Sequence, residues 1–200
     1  SLNYDEMPSL FEEIETSSAT TQSKLALQFT IITCCRTTEV LNATWDEIDL
    51  VKAVWTIPAE RMKAGEQHSV PLSSAALKIL KKAHTLRSAN ELIFPSPLDN
   101  KPMSDGTMRK LLQKTLGVDA TVHGFRSSFK DWASETTNHP IEVSEMALAH
   151  TIGNKTEAAY RRGDLLQKRK ELMQDWSDFL CSKNGKVFRL EKGATYGRRT

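Results

Sequence analysis

Residues 8–17 and 22–34 are rich in helix formers. In the second stretch the run ALQFTII is apolar on nearly every side, which predicts a helix buried on most faces. The pattern changes over residues 44–72. TWDEIDL, AVWTIP and HSVPL are short runs with β-branched or aromatic residues, separated by polar breakers. In AVWTI, Val54 and Thr56 point one way and Trp55 and Ile57 the other. RMKAGEQ, with Gly65 at its middle, reads as the turn between the second and third strands. After Pro71 the helical spacing returns. Ser73 caps a helix over 74–84 with Leu77, Leu80 and Ala83 inward. NELIFPSPLDNKP is a loop, and Ser104 caps the next helix, with Met108, Leu111 and Leu112 apolar. Further helices fall over 124–137 and 141–149. Asp164 caps a long one reaching about Leu180, with Leu165, Leu172, Trp176 and Phe179 on one stripe. The expected fold is mainly α with a small three-stranded antiparallel β-sheet. It forms one domain over residues 1–182, followed by a basic tail over 183–200. Three short strands cannot form a domain alone, so the sheet must pack on helices.

Composition adds exclusions more than content. The chain has 200 residues, 39% hydrophobic and 26% charged, with 9 Gly and 7 Pro, which excludes collagen-like and low-complexity classes. No apolar run approaches the roughly 18 residues of a membrane-spanning helix. The acidic start SLNYDEMPSLFEEIE is unlike a signal peptide. Adjacent Cys34 and Cys35 with a lone Cys181 make no disulfide framework, so a reduced, cytoplasmic protein is expected. The net charge of +2 conceals a gradient: residues 1–50 hold 2 basic and 9 acidic residues, and residues 151–200 hold 12 and 6. A basic second half suits a polyanion, although a solvated basic tail gives the same count.

Several polar residues sit oddly. Arg36 directly follows the apolar helix and wants an anion, either the carboxylate of Glu39 three residues on or a phosphate. His123 and Arg126, in HGFR, share one helical face and offer an imidazole and a guanidinium fork to one anionic group. His150 ends the apolar helix. Tyr160, between two alanines and two arginines, is either core packing or a nucleophile whose phenolate is favoured by nearby cations. His68, next to the strand after the turn, reads first as a surface residue and second as one that touches the phosphate region, and His139 before Pro140 reads as a loop residue. No third ligand completes a metal site with His123 and His150. The stripe Leu172, Trp176, Phe179 reads first as core and second as a surface for a neighbouring protomer.

Taken in order, these boxes resemble the tyrosine recombinase family, the phage-type integrases, over residues 5 to 181. TIITCCRTTEVLNATWDEIDL is similar to the first arginine box. WTIPAERMKAGEQHSVPLS is similar to the hairpin that carries the family lysine. HGFRSSFKDWA resembles the His-x-x-Arg box, and LAHTIGNKTEAAYRR the last histidine followed by the nucleophile. The wording WTIPAERMK, VPLS, IFPSP, LAH and AAYRR is most similar to integrases of prophages, satellite phages and genomic islands.

The resemblance implies a catalytic-domain fold and a set of roles. Tyr160 attacks the scissile phosphate to give a 3′-phosphotyrosyl link and a 5′-hydroxyl. Arg36 and Arg126 grip the non-bridging oxygens. Lys63 is the general acid toward the leaving 5′ oxygen, preferred over Arg61 because it lies nearer the turn. His123 assists proton transfer at the nucleophile, and His150 hydrogen-bonds the phosphate. Neither cofactor nor metal is implied. The expected partner is double-stranded DNA carrying attachment sites, bound by a protein that is a monomer when free and a tetramer on DNA. An accessory DNA-bending or excision factor is a further expected partner, and no membrane is. The expected setting is the bacterial cytoplasm, at the nucleoid. The family's upstream core-binding and arm-binding domains do not fit in this chain, whose missing initiator Met is expected to mark a removed upstream part. Cys-Cys before Arg36 departs from the small residue, such as glycine, common there. Two competing readings keep the chemistry or the binding alone: type IB topoisomerase-like strand relaxation, and a catalytically silent DNA-binding relative.

Overall fold

The structure is a computed structural model that describes residues 1–87, 91–150 and 165–182. Its helices are α1 (Met7–Thr16), α2 (Thr21–Thr33), α3 (Thr37–Leu41), α4 (Ser74–Thr85), α5 (Gly106–Lys110), α6 (Phe125–Thr136), α7 (Ile141–Ala147) and α8 (Leu166–Leu180). The strands β1 (Ile48–Asp49), β2 (Val54–Ile57) and β3 (His68–Pro71) form one antiparallel sheet in the order β1-β2-β3, with Ile48 opposite Trp55 and Ile57 opposite His68. The expected mainly helical fold with a three-stranded sheet is the one observed. Among the described residues no helix is long and apolar enough to cross a membrane.

The all-round apolar character of α2 is explained by its position. It packs against α1, α3, α4, α5 and α8, and every residue from Leu25 to Thr33 is buried. The hydroxyls of Thr30 and Thr33 return to the carbonyls of Ala26 and Phe29, at 2.8 and 2.6 Å, so burial leaves no polar atom unmatched there. Trp55 and Ile57 of β2 enter the same core, as the alternation predicts. On the far side, Phe129 and Trp132 of α6 meet Trp176 and Phe179 of α8, with Trp132 and Trp176 centroids 5.0 Å apart. Trp176 is fully buried and donates Nε1–H to the Ile31 carbonyl at 3.1 Å. The stripe on α8 is therefore core.

Local expectations were corrected in three places. The inward face of α4 is Ala76, Ile79, Leu80 and Ala83, with Leu77 only half-buried, because the helix meets α2 slightly off the predicted stripe. α5 begins after Asp105 and continues into a π-helical turn, Leu111–Thr115. Ser104 supports that start from one residue further out, its carbonyl accepting from Thr107 N–H at 2.9 Å. The N-cap of α8 is Leu165, in left-handed geometry at φ 51°, while Asp164 lies outside the described residues.

Candidate active site

α2 ends where Cys34 turns left-handed, at φ 55°, a conformation glycine adopts without cost. That turn explains why a small residue suits the position. It sends the chain into an extended Arg36 at the N-terminus of α3. Glu39, one turn on and buried, reaches back. Its Oε2 accepts the Arg36 N–H at 2.8 Å, and its Oε1 accepts Nη1 of the guanidinium at 2.7 Å. The salt bridge anticipated for Arg36 is present, and it leaves the side chain 24% exposed.

His123 stands exposed in the turn before α6, while Arg126, in the first turn of that helix, is buried; the two are not on one helical face. Gly124 keeps this turn tight. A Cβ there would meet the Ser1 Cα at 3.0 Å and the Thr121 hydroxyl at 3.1 Å, so the glycine serves close packing rather than an unusual φ. Arg126 crosses to the end of α2, where Nη1 donates to the Cys34 carbonyl. Its Nη2 donates to the Leu148 carbonyl at 2.6 Å and lies 3.2 Å from Nε2 of His150. Its Nε is buried without a hydrogen-bond partner among the described residues. Burial, then the charge of Arg36, pushes the Arg126 pKa down. An arginine keeps its proton regardless, so among the described residues the hydrogen bonds of this buried cation go to carbonyls and an imidazole rather than to a carboxylate.

The structure thus brings Arg36, His123, Arg126 and His150 together. Burial and then the charges of Arg126, Arg36 and His150 hold His123 below the ordinary histidine range. Lys63 is not joined to them. It is exposed on the turn from β2 to β3, past a 3-10 turn over Ala59–Arg61, and makes no ion pair among the described residues. Arg61 is occupied otherwise, donating to Glu47 Oε2 at 2.5 Å and to the Glu39 carbonyl at 3.0 Å, which ties the hairpin to the first arginine helix. Tyr160 lies outside the described residues.

Two features escaped the sequence reading. His68 is half-buried rather than on the surface: it opens β3, and burial, then the charge of Arg169, pushes its pKa down to about 4. Only the alternation of HSVPL, which places His68 on the same face as Val70, hinted at this. Glu145, five residues before His150, accepts Nδ1 of that ring, and nothing in the spacing singled it out. His139, read as a loop residue, pairs with Asp175 of α8 at 2.7 Å. Cys34 and Cys35 are free buried thiols, the Cys35 thiol pushed up to about 12 by burial.

The model of the phage integrase family matches residues 1–165, a span that holds all four boxes named above and ends before α8. The chain belongs to that family. It is 37% identical over 182 residues to prophage integrase IntA of Escherichia coli K12, covering 90% of this chain and 44% of the relative. It is 31% identical over 186 residues to the integrase of Enterobacteria phage P4, covering 84% and 42%. The chain therefore spans less than half the length of these relatives. Among solved structures, an integrase from mycobacterium phage Brujita matches with a TM-score of 0.62 at 18% identity, over 82% of this chain and 54% of that one. A lambda integrase (75–356) dimer bound to a COC′ core site matches at 0.57 and 22%, over 76% and 57%. These likenesses identify the fold as that of integrase catalytic domains.

Proposed function

We propose that this chain cuts and rejoins DNA as the catalytic part of a site-specific recombinase. The observation that carries the reading is Arg126, a buried guanidinium without a carboxylate partner among the described residues, set beside Arg36, His123 and His150. Such a cluster asks for an anion with several acceptor oxygens, and a phosphodiester supplies one. In the proposed step the Tyr160 oxygen attacks phosphorus and the bond to the 5′ oxygen breaks. His123 assists removal of the tyrosyl proton, and Lys63 protonates the departing oxygen. Arg36 and Arg126 stabilise the charge on the non-bridging oxygens, and His150 adds a hydrogen bond. The reverse attack by a 5′-hydroxyl rejoins the strand, so the phosphotyrosyl link conserves the bond and no nucleotide cofactor enters. Lys63 suits its role because, among the described residues, its exposed side chain makes no ion pair, whereas Arg61 is engaged with Glu47.

Two comparisons support the wider reading. Relatives of this chain are prophage and phage integrases, and a lambda integrase tetramer bound to a Holliday junction shares the fold at a TM-score of 0.56. By extension the substrate is duplex DNA at attachment sites of a prophage or genomic island. The protein acts in the cytoplasm at the nucleoid, assembles as a tetramer on DNA, and works with an accessory bending or excision factor. The test is a nicked duplex bearing the junction of the element that encodes the protein, on which cleavage releases a short end and prevents religation. Wild-type protein forms an adduct that survives denaturing electrophoresis, and Tyr160→Phe forms none. Equal adduct from both proteins overturns the assignment. Relaxation of supercoiled plasmid without any strand exchange between junctions favours the topoisomerase-like alternative.

A further inference from the structure

The turn that carries His150 is closed onto α6 by four side chains. Glu145 accepts Nδ1 of His150 on Oε2 at 2.6 Å, and Lys130 Nζ sits 2.5 Å from its Oε1. The opposite edge of the same ring, Nε2, lies 3.2 Å from Nη2 of Arg126. Arg126 and Lys130 are four residues apart on α6, so adjacent turns of one helix hold the two ends of the His150–Glu145 pair. The backbone enforces the same arrangement. Ala149 takes φ 48°, and the His150 N–H bonds the Glu145 carbonyl at 3.0 Å, which folds His150 back against the residue that receives its ring.

A guanidinium offers donors only. Its contact with Nε2 needs a lone pair there, so the proton of the neutral ring belongs on Nδ1, facing a carboxylate. We infer that Glu145, steadied by Lys130, is a positioning residue that fixes His150 in the Nδ1–H tautomer and aims Nε2 at the place of the reacting phosphate. This deepens the recombinase reading of the site and rests on it. Burial pushes the Glu145 carboxyl up, but hydrogen bonds from Lys130 and His150 outweigh burial and hold it below the usual carboxylate range. It is therefore a carboxylate at neutral pH. When a phosphate oxygen takes over the Arg126 donor, a proton from solvent at Nε2 turns that edge of His150 from acceptor to donor. The ring need not flip, because Glu145 still holds Nδ1. Without Glu145 an imidazole reverts toward its intrinsically favoured Nε2–H form, which sets an N–H against the N–H of Arg126.

The tautomer is read directly by long-range 1H–15N correlation on 15N-histidine-labelled protein without DNA, with the His150 signal identified by its loss in His150→Asn. Wild-type protein shows a protonated Nδ1, and Glu145→Ala moves the ring toward Nε2–H. Glu145→Gln, whose amide oxygen still accepts, keeps the Nδ1–H form. On the nicked junction duplex Glu145→Ala slows adduct formation about 10–100-fold while the DNA is still bound, and Glu145→Gln recovers most of the rate. A wild-type ring protonated on Nε2 overturns the inference, as does Glu145→Ala with unchanged tautomer or unchanged rate. If the wild-type chain forms no adduct at all, the recombinase reading fails on its own evidence, and the spectrum still decides the role of Glu145.

Discussion

Arg126 organises its surroundings through neutral oxygens, which makes it costly to alter. A lysine in its place is a single point donor and cannot serve the Cys34 and Leu148 carbonyls and His150 together. Arg126→Lys is expected to lose about 2 kcal/mol of stability in urea melts, from buried acceptors left unmatched, as well as adduct formation. His68 gives a pH signature. The folded chain keeps it neutral down to about pH 4, while an unfolded histidine takes up its proton near 6.5. The unfolded state then binds more protons between those values, so stability falls as pH drops through that window. The loss by pH 4 reaches roughly 3 kcal/mol. His68→Asn flattens that slope, which melts at pH 7, 5.5 and 4.5 will show. At this scale Arg36, His123, Arg126 and His150 were legible as oddly placed polar residues, and the structure brings these four together, because a guanidinium or imidazole beside an apolar helix is conspicuous in the sequence. The partners were less so. Glu39 was visible through its helical spacing to Arg36, whereas Glu145 and His68 depend on how α7 and β3 turn, which no spacing encodes.

Elements carry the site by bringing three segments to one place: the end of α2 with the start of α3, the turn into α6 and the end of α7, while the hairpin between β2 and β3 is tied to α3 through Arg61. α8 holds this arrangement from behind. Trp176→Ala removes a fully buried indole and its bond to the Ile31 carbonyl. The expected cost is about 3–5 kcal/mol, or a fall in Tm of roughly 10 °C for a domain of this size. Differential scanning calorimetry checks it. A loss confined to assembly on DNA with unchanged Tm would instead place Trp176 at a protomer interface. α2, from its unbroken apolar run, and α4, from its periodicity and its Ser73 cap, were readable to within a residue or two. The start of α5 was readable to within one residue, but its continuation into a π-helical turn, Leu111–Thr115, was not, because no breaker residue marks it. The alternation in AVWTI, by contrast, fixed which residues of β2 face the core, since period-two patterns translate directly into sheet faces.

For the molecule as a whole, the small net charge is a poor guide to its partner. The acidic excess lies in the first fifty residues, where Glu15 pairs with Lys82 at 2.6 Å, and the site cations come mostly from later segments. DNA binding by the chain should therefore depend on salt, with affinity falling at least ~tenfold between about 50 and 200 mM monovalent salt in fluorescence anisotropy. An affinity flat in salt would mean that phosphate contacts contribute little. The class of fold was legible because one all-apolar helix, a three-run strand segment and several amphipathic helices leave few ways to bury their faces. The closeness of Arg36 to Arg126, ninety residues apart in sequence, was legible only through the family resemblance, because it depends on Arg126 reaching from α6 to the Cys34 carbonyl at the end of α2. The central claim is that Tyr160 becomes joined to DNA. Adduct formed on the nicked junction duplex, trimmed with nuclease and digested with trypsin, should yield a peptide bearing a 3′-nucleotide on Tyr160 in tandem mass spectra. The same nucleotide found on another residue, or adduct peptides with Tyr160 unmodified, would contradict the account.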